Sequence, residues 1–452
     1  MSKVTFLSGV GTATGANFMV EKNGKRFLVD CGLIQGSETA FRDNHEPFSF
    51  NPDEVDVLLV THAHMDHIGR IPKLVREGFR GVIYSTPQTR DLSAVMFDDA
   101  VGLIARESKE TGKPPLYEEQ DVAKALSLWR THEYHSPFEF IPGLSAEFYD
   151  SGHILGSAMI KVSSGEKNFL FTGDLGNSPS PLLPDTEIIS DVDYLITESV
   201  YGDRNHGSKD ERDAHFLSVL RKGIAKGGVI LIPAFSIERT QVILYKLNDF
   251  IEGGLIAKVP VCVDSPLASK VTAIYKNNTD LFKEGVRKDI ADGDDIFAFP
   301  GLTFIRTMEE SRALDNNNGA KIILAGSGMS MGGRVVRHEK TYLSNPNATV
   351  VMVGYQVPGS LGRHIEEGEG VVVIEGEHVR IHATIEKIDG FSSHKDSDHI
   401  VEFISHMKDR VKKVFVAMGE PKSSIFLTQR LRGELSIDAL YPERGSSVEI
   451  DF

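Results

Sequence analysis

The chain has 452 residues, 40% of them hydrophobic and 25% charged, which is enough for two or three globular domains and excludes a disordered or fibrous chain. Its formal net charge of −15 argues against a protein that coats nucleic acid through a broad basic surface, while leaving room for a few placed cations to handle phosphate. No stretch approaches the run of about 20 apolar residues that spans a bilayer. Met1-Ser2-Lys3-Val4 enters a strand without a signal-peptide pattern, and Cys31 and Cys262 offer no disulfide framework, so the expectation is a cytoplasmic chain with no membrane partner.

In chain order, the hydrophobic periodicity predicts strands at 4–7, 17–21, 26–30, 55–60 and 82–85, helices at 87–107 and 117–125, and strands at 144–150, 158–163 and 168–172. From His206 the pattern becomes helix, strand, helix: 209–226, 228–233, 236–251, 259–264 and 266–277, with further strands at 321–325 and 349–354. That alternation predicts a parallel α/β unit with crossover helices. Strands return at 370–374 and 377–386, followed by a helix at 395–407 and a strand at 414–417. Ligand-type residues fall before Asp174 and after His394, so the sequence predicts an α/β protein with an inserted domain. The expected boundaries are 1–205 and 386–452 for the outer domain and 206–385 for the insertion.

Directly after the strand at 55–60 comes Thr61-His62-Ala63-His64-Met65-Asp66-His67-Ile68-Gly69, with three imidazoles and a carboxylate in six positions. Imidazole nitrogen and carboxylate oxygen suit Zn²⁺, and an i, i+2 spacing turns His62 and His64 the same way if the extended geometry continues. The helical His-Glu-x-x-His pattern is absent. Three more strand ends carry similar residues: Asp30 before Cys31-Gly32, His153 in Ser151-Gly152-His153, and Asp174 in Thr172-Gly173-Asp174. Each alone reads as turn chemistry. Together they look like one site on a single rim of a sheet.

These four motifs resemble those of metallo-β-lactamase-fold hydrolases. The resemblance implies an αββα sandwich in which one zinc takes His62, His64 and His153, a second takes Asp66 and His67, and Asp174 bridges the two. Asp30 would support the site from behind, and Asp66 would also serve the chemistry. Glu198-Ser199-Val200-Tyr201-Gly202 and Gly390-Phe391-Ser392-Ser393-His394-Lys395-Asp396 further resemble motifs of the β-CASP branch. That branch processes nucleic acid and includes bacterial and archaeal relatives of the cleavage and polyadenylation endonuclease. In it Glu198 would hold a proton on His394, the general acid. Segments at 233–236, 264–268, 326–329 and 355–363 extend the resemblance over nearly the whole chain. One position departs from it. Where RNA-processing members carry a His-Gly-Glu triplet, this chain has Met418-Gly419-Glu420, so the second zinc is expected to bind more weakly.

Gly326-Ser327-Gly328-Met329-Ser330 follows a strand and precedes a helix, a turn able to offer Ser327, Gly328 and Ser330 to a phosphate or to act as a plain tight turn. Arg363 in a glycine-rich loop is a further phosphate candidate. Arg239 and Gln241 read by default as surface residues, and His338 as a solvated histidine. Gly9-Val10-Gly11-Thr12-Ala13-Thr14-Gly15 reads as hairpin chemistry, since strand instead of helix follows it. The expected activity is zinc-dependent hydrolysis of single-stranded RNA, with homodimerisation implied by the resemblance alone. The alternatives are a DNA nuclease of the same fold and a catalytically weak RNA-binding paralogue.

Overall fold

A computed structural model describes residues 1–36, 39–316, 319–357 and 359–452, so Pro358 of the 355–363 segment lies outside the described residues. The chain divides into two compact units: Met1–Asn205 with His394–Phe452, and His206–Ser393.

The first unit is built on two seven-stranded sheets. One runs in the order Ser447–Ile450, Ser2–Ser8, Asn17–Lys22, Lys25–Val29, Val57–Leu59, Val82–Ser85, Trp129–Thr131. The other runs Ala439–Leu440, Lys413–Val416, Tyr194–Thr197, Lys167–Phe171, Ala158–Ser164, Leu144–Asp150, Phe138–Ile141. Alternation along each strand turns every second side chain inward, so Val4, Phe6, Phe18, Val20, Phe27 and Val29 share one core with Phe148, Ile160, Phe169, Phe171 and Phe415. The second sheet buries its opposite face too, and Leu170, Leu195, Val414 and Val416 pack with Ile400, Ile404, Leu427 and Leu431 of the helices Ser397–Ser405 and Pro421–Leu435. Helices Ile71–Arg76, Pro87–Thr111 and Glu119–Ser127 pack on one another, and Pro87–Thr111 also meets the edge strand Trp129–Thr131. The layers are helix, sheet, sheet, helix, as the sequence led us to expect. The Gly9–Gly15 segment joins two antiparallel strands, again as expected.

The second unit holds a six-stranded, wholly parallel sheet in the order Leu302–Phe304, Val261–Asp264, Lys321–Ala325, Val229–Pro233, Thr349–Met352, Thr384–Lys387. Its strands are near-continuous apolar runs such as Val229-Ile230-Leu231-Ile232, buried on both faces as crossover connections require. The strand expected at 377–386 is two strands in different sheets. Glu377–Arg380 pairs with Val371–Ile374 in a hairpin, whereas Thr384–Lys387 joins the parallel sheet. Between them the N–H groups of His382 and Ala383 both bond the Leu343 carbonyl and leave the ladder. The last strand of the insertion therefore crosses the expected boundary at 385, and the unit runs on to Ser393.

Candidate metal centre

Four strand ends of the first unit converge on one site. The strand Val57–Leu59 runs out into His62 and His64, and His64, at φ −69° and ψ 145°, is the last extended residue before the short helix Met65–Ile68. That helix places Asp66 and His67 one turn on. A Cβ on Gly32 would lie 1.5 Å from the Asp66 carbonyl oxygen, so only glycine lets this turn close. His153 is fastened by Ser157, whose Oγ accepts the N–H groups of His153 and Ile154 at 3.1 Å each. Asp174 follows the strand Lys167–Phe171 through Gly173, at φ +54°, where a Cβ would stand 2.7 Å from that of Thr61.

His64 Nδ1 lies 3.2 Å from both His62 Nε2 and His153 Nε2, and Asp174 Oδ2 lies 3.4 and 3.5 Å from those same two Nε2 atoms. A tetrahedral ion with bonds of about 2.0–2.1 Å has ligand-to-ligand edges of about 3.3–3.4 Å, so these four atoms have the spacing of a zinc shell. Burial pulls all three imidazoles toward the neutral form, and those of His64 and His153 sit well below the ordinary histidine value. Neutral nitrogen is the form that donates to a metal.

The other oxygen of Asp174 faces a second group. Oδ1 is 3.3 Å from His67 Nε2, and Asp66 Oδ2 is 3.9 Å from that same nitrogen. Asp174 Oδ1 and His67 Nε2 are both buried without a hydrogen-bond partner, a costly arrangement that a cation between them would satisfy. The residues present therefore fit two divalent ions. Asp30 supports this side from behind: its Oδ2 lies 2.7 Å from His67 Nδ1, while Thr61 donates to both Asp30 oxygens at 2.8 Å. The sequence did not single out Thr61 as part of this support, although it heads the histidine run.

Beyond the two groups sits His394, its Nδ1 3.3 Å from both Glu198 oxygens and 3.8 Å from Asp174 Oδ2. Burial works against charge on this ring, but Glu198, followed by Asp174 and Asp66, outweighs it and lifts the pKa to about 9. Glu198 is itself held by the Leu175 N–H at 2.7 Å. Met418 takes no part in the centre. Its side chain is buried in the inter-sheet core with Phe6, Phe18 and Phe415, and its sulfur packs over Gly9. The second group therefore has three protein donors, Asp66, His67 and Asp174, among the described residues.

The remaining candidates lie in the second unit. Ser327 Oγ accepts the Met331 N–H at 3.1 Å, and the Gly328 carbonyl accepts from Gln356 Nε2 at 2.9 Å. The Gly362 N–H bonds the Met329 carbonyl, which brings this turn beside the helix Leu361–Glu366 that carries Arg363. Arg363 Nε is paired with Glu367 at 2.6 Å. Ser330 is not an extra phosphate donor, because its hydroxyl is buried and bonds the buried carboxyl of Glu339. Arg239, Gln241 and His338 are buried, contrary to expectation: Arg239 bonds the Val353 carbonyl, Gln241 bonds Ser236 and Thr272, and His338 Nε2 meets Asp264 at 2.7 Å.

Family models match three stretches: the metallo-beta-lactamase superfamily over residues 11–214, the Beta-Casp domain over 240–365, and the Zn-dependent metallo-hydrolase RNA specificity domain over 378–442. The chain is 38% identical to "Ribonuclease TTHA0252" of Thermus thermophilus over 86% of its own length and 88% of that protein's. It is 31% identical to "Transcription termination factor FttA" of Methanosarcina mazei over 96% of this chain and 70% of that one. A crystal structure of a protein of unknown function from Enterococcus faecalis shares the fold over 99% of both chains, with a TM-score of 0.56 and 12% identity. By sequence, fold and the convergence of its donor residues, this chain belongs to the metallo-β-lactamase superfamily, in the branch that carries a Beta-Casp domain and an RNA specificity domain.

Proposed function

We propose that the chain is a metal-dependent ribonuclease that hydrolyses phosphodiester bonds in single-stranded RNA, with Zn²⁺ as its metal. Membership of the superfamily carries divalent metal binding. The RNA assignment is supported by the match to the RNA specificity domain and by the similarity to a ribonuclease. The observation that carries the mechanism is the placement of Asp174, with one oxygen facing His62 and His153 and the other facing His67.

His62, His64, His153 and Asp174 would hold one ion, and Asp66, His67 and Asp174 the other. Ions bound there supply an ionised water for attack and neutralise charge on the phosphate oxygens. His394 carries the proton for the leaving oxygen, and the Glu198 carboxylate, accepting at Nδ1, favours the charged ring. Asp30 and Thr61 fix the His67 ring so that Nε2 points at Asp174. With three protein donors in the second group against four in the first, the second ion is held less tightly. Ser327, Gly328 and Arg363 would contact the RNA backbone in the second unit, with Arg363 exchanging its Glu367 partner for phosphate.

The test is digestion of matched RNA and DNA oligonucleotides, single- and double-stranded, by protein of measured metal content. Cleavage confined to single-stranded RNA supports the reading. Preferential cleavage of DNA would favour the nuclease of the same fold, and metal-free, inactive protein would favour a binding role.

A further inference from the structure

Lys395 stands next to the proposed general acid, within the same motif, and the site described above gives it no role. It is 4% exposed, unusual for a lysine, and its Nζ donates to Ser178 Oγ at 3.1 Å. Among the described residues no carboxylate lies within ion-pair distance of it, although Asp185, Glu198, Asp396 and Glu402 surround it with negative charge. Desolvating an ammonium is costly, and a surface position would avoid that cost. The backbone around Lys395 explains what the buried position achieves. Gly176 and His394 form an isolated antiparallel bridge, and the Lys395 N–H bonds the Leu175 carbonyl at 2.8 Å. The N–H of Leu175 in turn holds Glu198 Oε1 at 2.7 Å. The segment from Asp174 to Ser178 thus carries the carboxylate proposed to face both ions at one end and steers Glu198 from the next residue. At its far end stands the hydroxyl that Lys395 grips.

We propose that Lys395 is a positioning residue that clamps the Asp174–Ser178 segment onto the bridged segment bearing His394, thereby fixing His394 against Glu198 and Asp174. His394 faces the metal donors, and Lys395 reaches behind them to the loop. This role rests on the ribonuclease reading for its kinetic consequence but not for its structural one.

Lys395→Met, Lys395→Arg, Ser178→Ala and the Lys395→Met/Ser178→Ala pair are made in the full chain. Kinetics on a single-stranded RNA and amide exchange of the peptide spanning Asp174–Ser178 are then measured. Lys395→Met is expected to lower kcat by about tenfold to a hundredfold, since a misplaced catalytic group is felt at that scale, with KM and metal content unchanged. Lys395→Arg recovers most of the loss, and Ser178→Ala adds nothing to Lys395→Met because the two act through one contact. Exchange in the Asp174–Ser178 peptide is faster in Lys395→Met than in the wild type. Wild-type kcat, or unchanged exchange in a folded Lys395→Met protein, overturns the clamp, as does full additivity of the two substitutions. Should the wild-type chain leave RNA intact, the ribonuclease reading falls alone and the exchange measurement still decides the clamp.

Discussion

At the scale of single residues, the centre depends on the imidazoles of His62, His64 and His153, kept neutral by burial, and on one carboxylate that faces both donor groups. Asp30→Ala leaves every proposed ligand in place but frees the His67 ring. We expect it to weaken metal affinity by about 10- to 100-fold, read by competition with a chromophoric chelator. That these side chains gather in one place was legible in the sequence because ligand-type residues recur at successive strand ends, while their division between two ions came from the family resemblance alone. Glu198 and His394 were legible only through family resemblance, since nothing in their local pattern marks a pair 196 residues apart. Lys395 and Thr61 were not legible, as their roles depend on contacts across the fold. A residue away from the centre gives a pH prediction. Burial lifts the Glu339 carboxyl to about 7, against an ordinary 4.5. The folded chain keeps this proton while the unfolded chain loses it above about pH 4.5, so stability falls as pH rises to about 7 and is level beyond. The whole loss is about 3 kcal/mol. Glu339→Gln removes it, so the variant should gain stability over the wild type at pH 8 relative to pH 5, measured by urea denaturation at both.

At the scale of elements, the site is a set of strand ends whose turns accept little change. Gly173→Ala sets a Cβ against Thr61 from a left-handed backbone. We expect a loss of about 1–3 kcal/mol in folding free energy together with weaker metal binding, whereas an alanine at exposed Gly254 should not affect the metal. Apolar strands that end in polar turns, such as those leading to His62, His153 and Asp174, were readable from alternation alone. The helix Pro421–Leu435 was missed for a physical reason. Its buried stripe is Ser423, Ser424, Leu427, Thr428 and Leu431, more than half hydroxyl, while Ile425 and Phe426 face outward. An apolar period cannot be seen where the inward face is built from serine and threonine. The strand Tyr194–Thr197 was missed although four-residue strands elsewhere were read; it is buried on both faces and so shows no alternation. The expected strand at 377–386 ran two strands together because the residues between them are no less β-prone than their neighbours.

At the scale of the whole molecule, one compact unit supplies every proposed metal donor and the other supplies the phosphate candidates. Ions bound only by the folded first unit should stabilise it by about 2.7 kcal/mol at a hundred times the dissociation constant, seen as a rise in the melting temperature of that unit. That the insertion exists was legible from ligand-type residues lying at both ends of the chain. Its far boundary was not, because the last parallel strand lies beyond a hairpin that local pattern merges with it. The central claim is that Asp174 joins two donor groups into one hydrolytic centre, and it is tested most directly by metal analysis and single-stranded RNA cleavage on wild-type and Asp174→Asn protein prepared side by side. The wild type is expected to hold up to two zinc ions and to cleave the RNA, and the folded variant to hold fewer ions and show no detectable cleavage. Full metal content and undiminished cleavage in Asp174→Asn would contradict it.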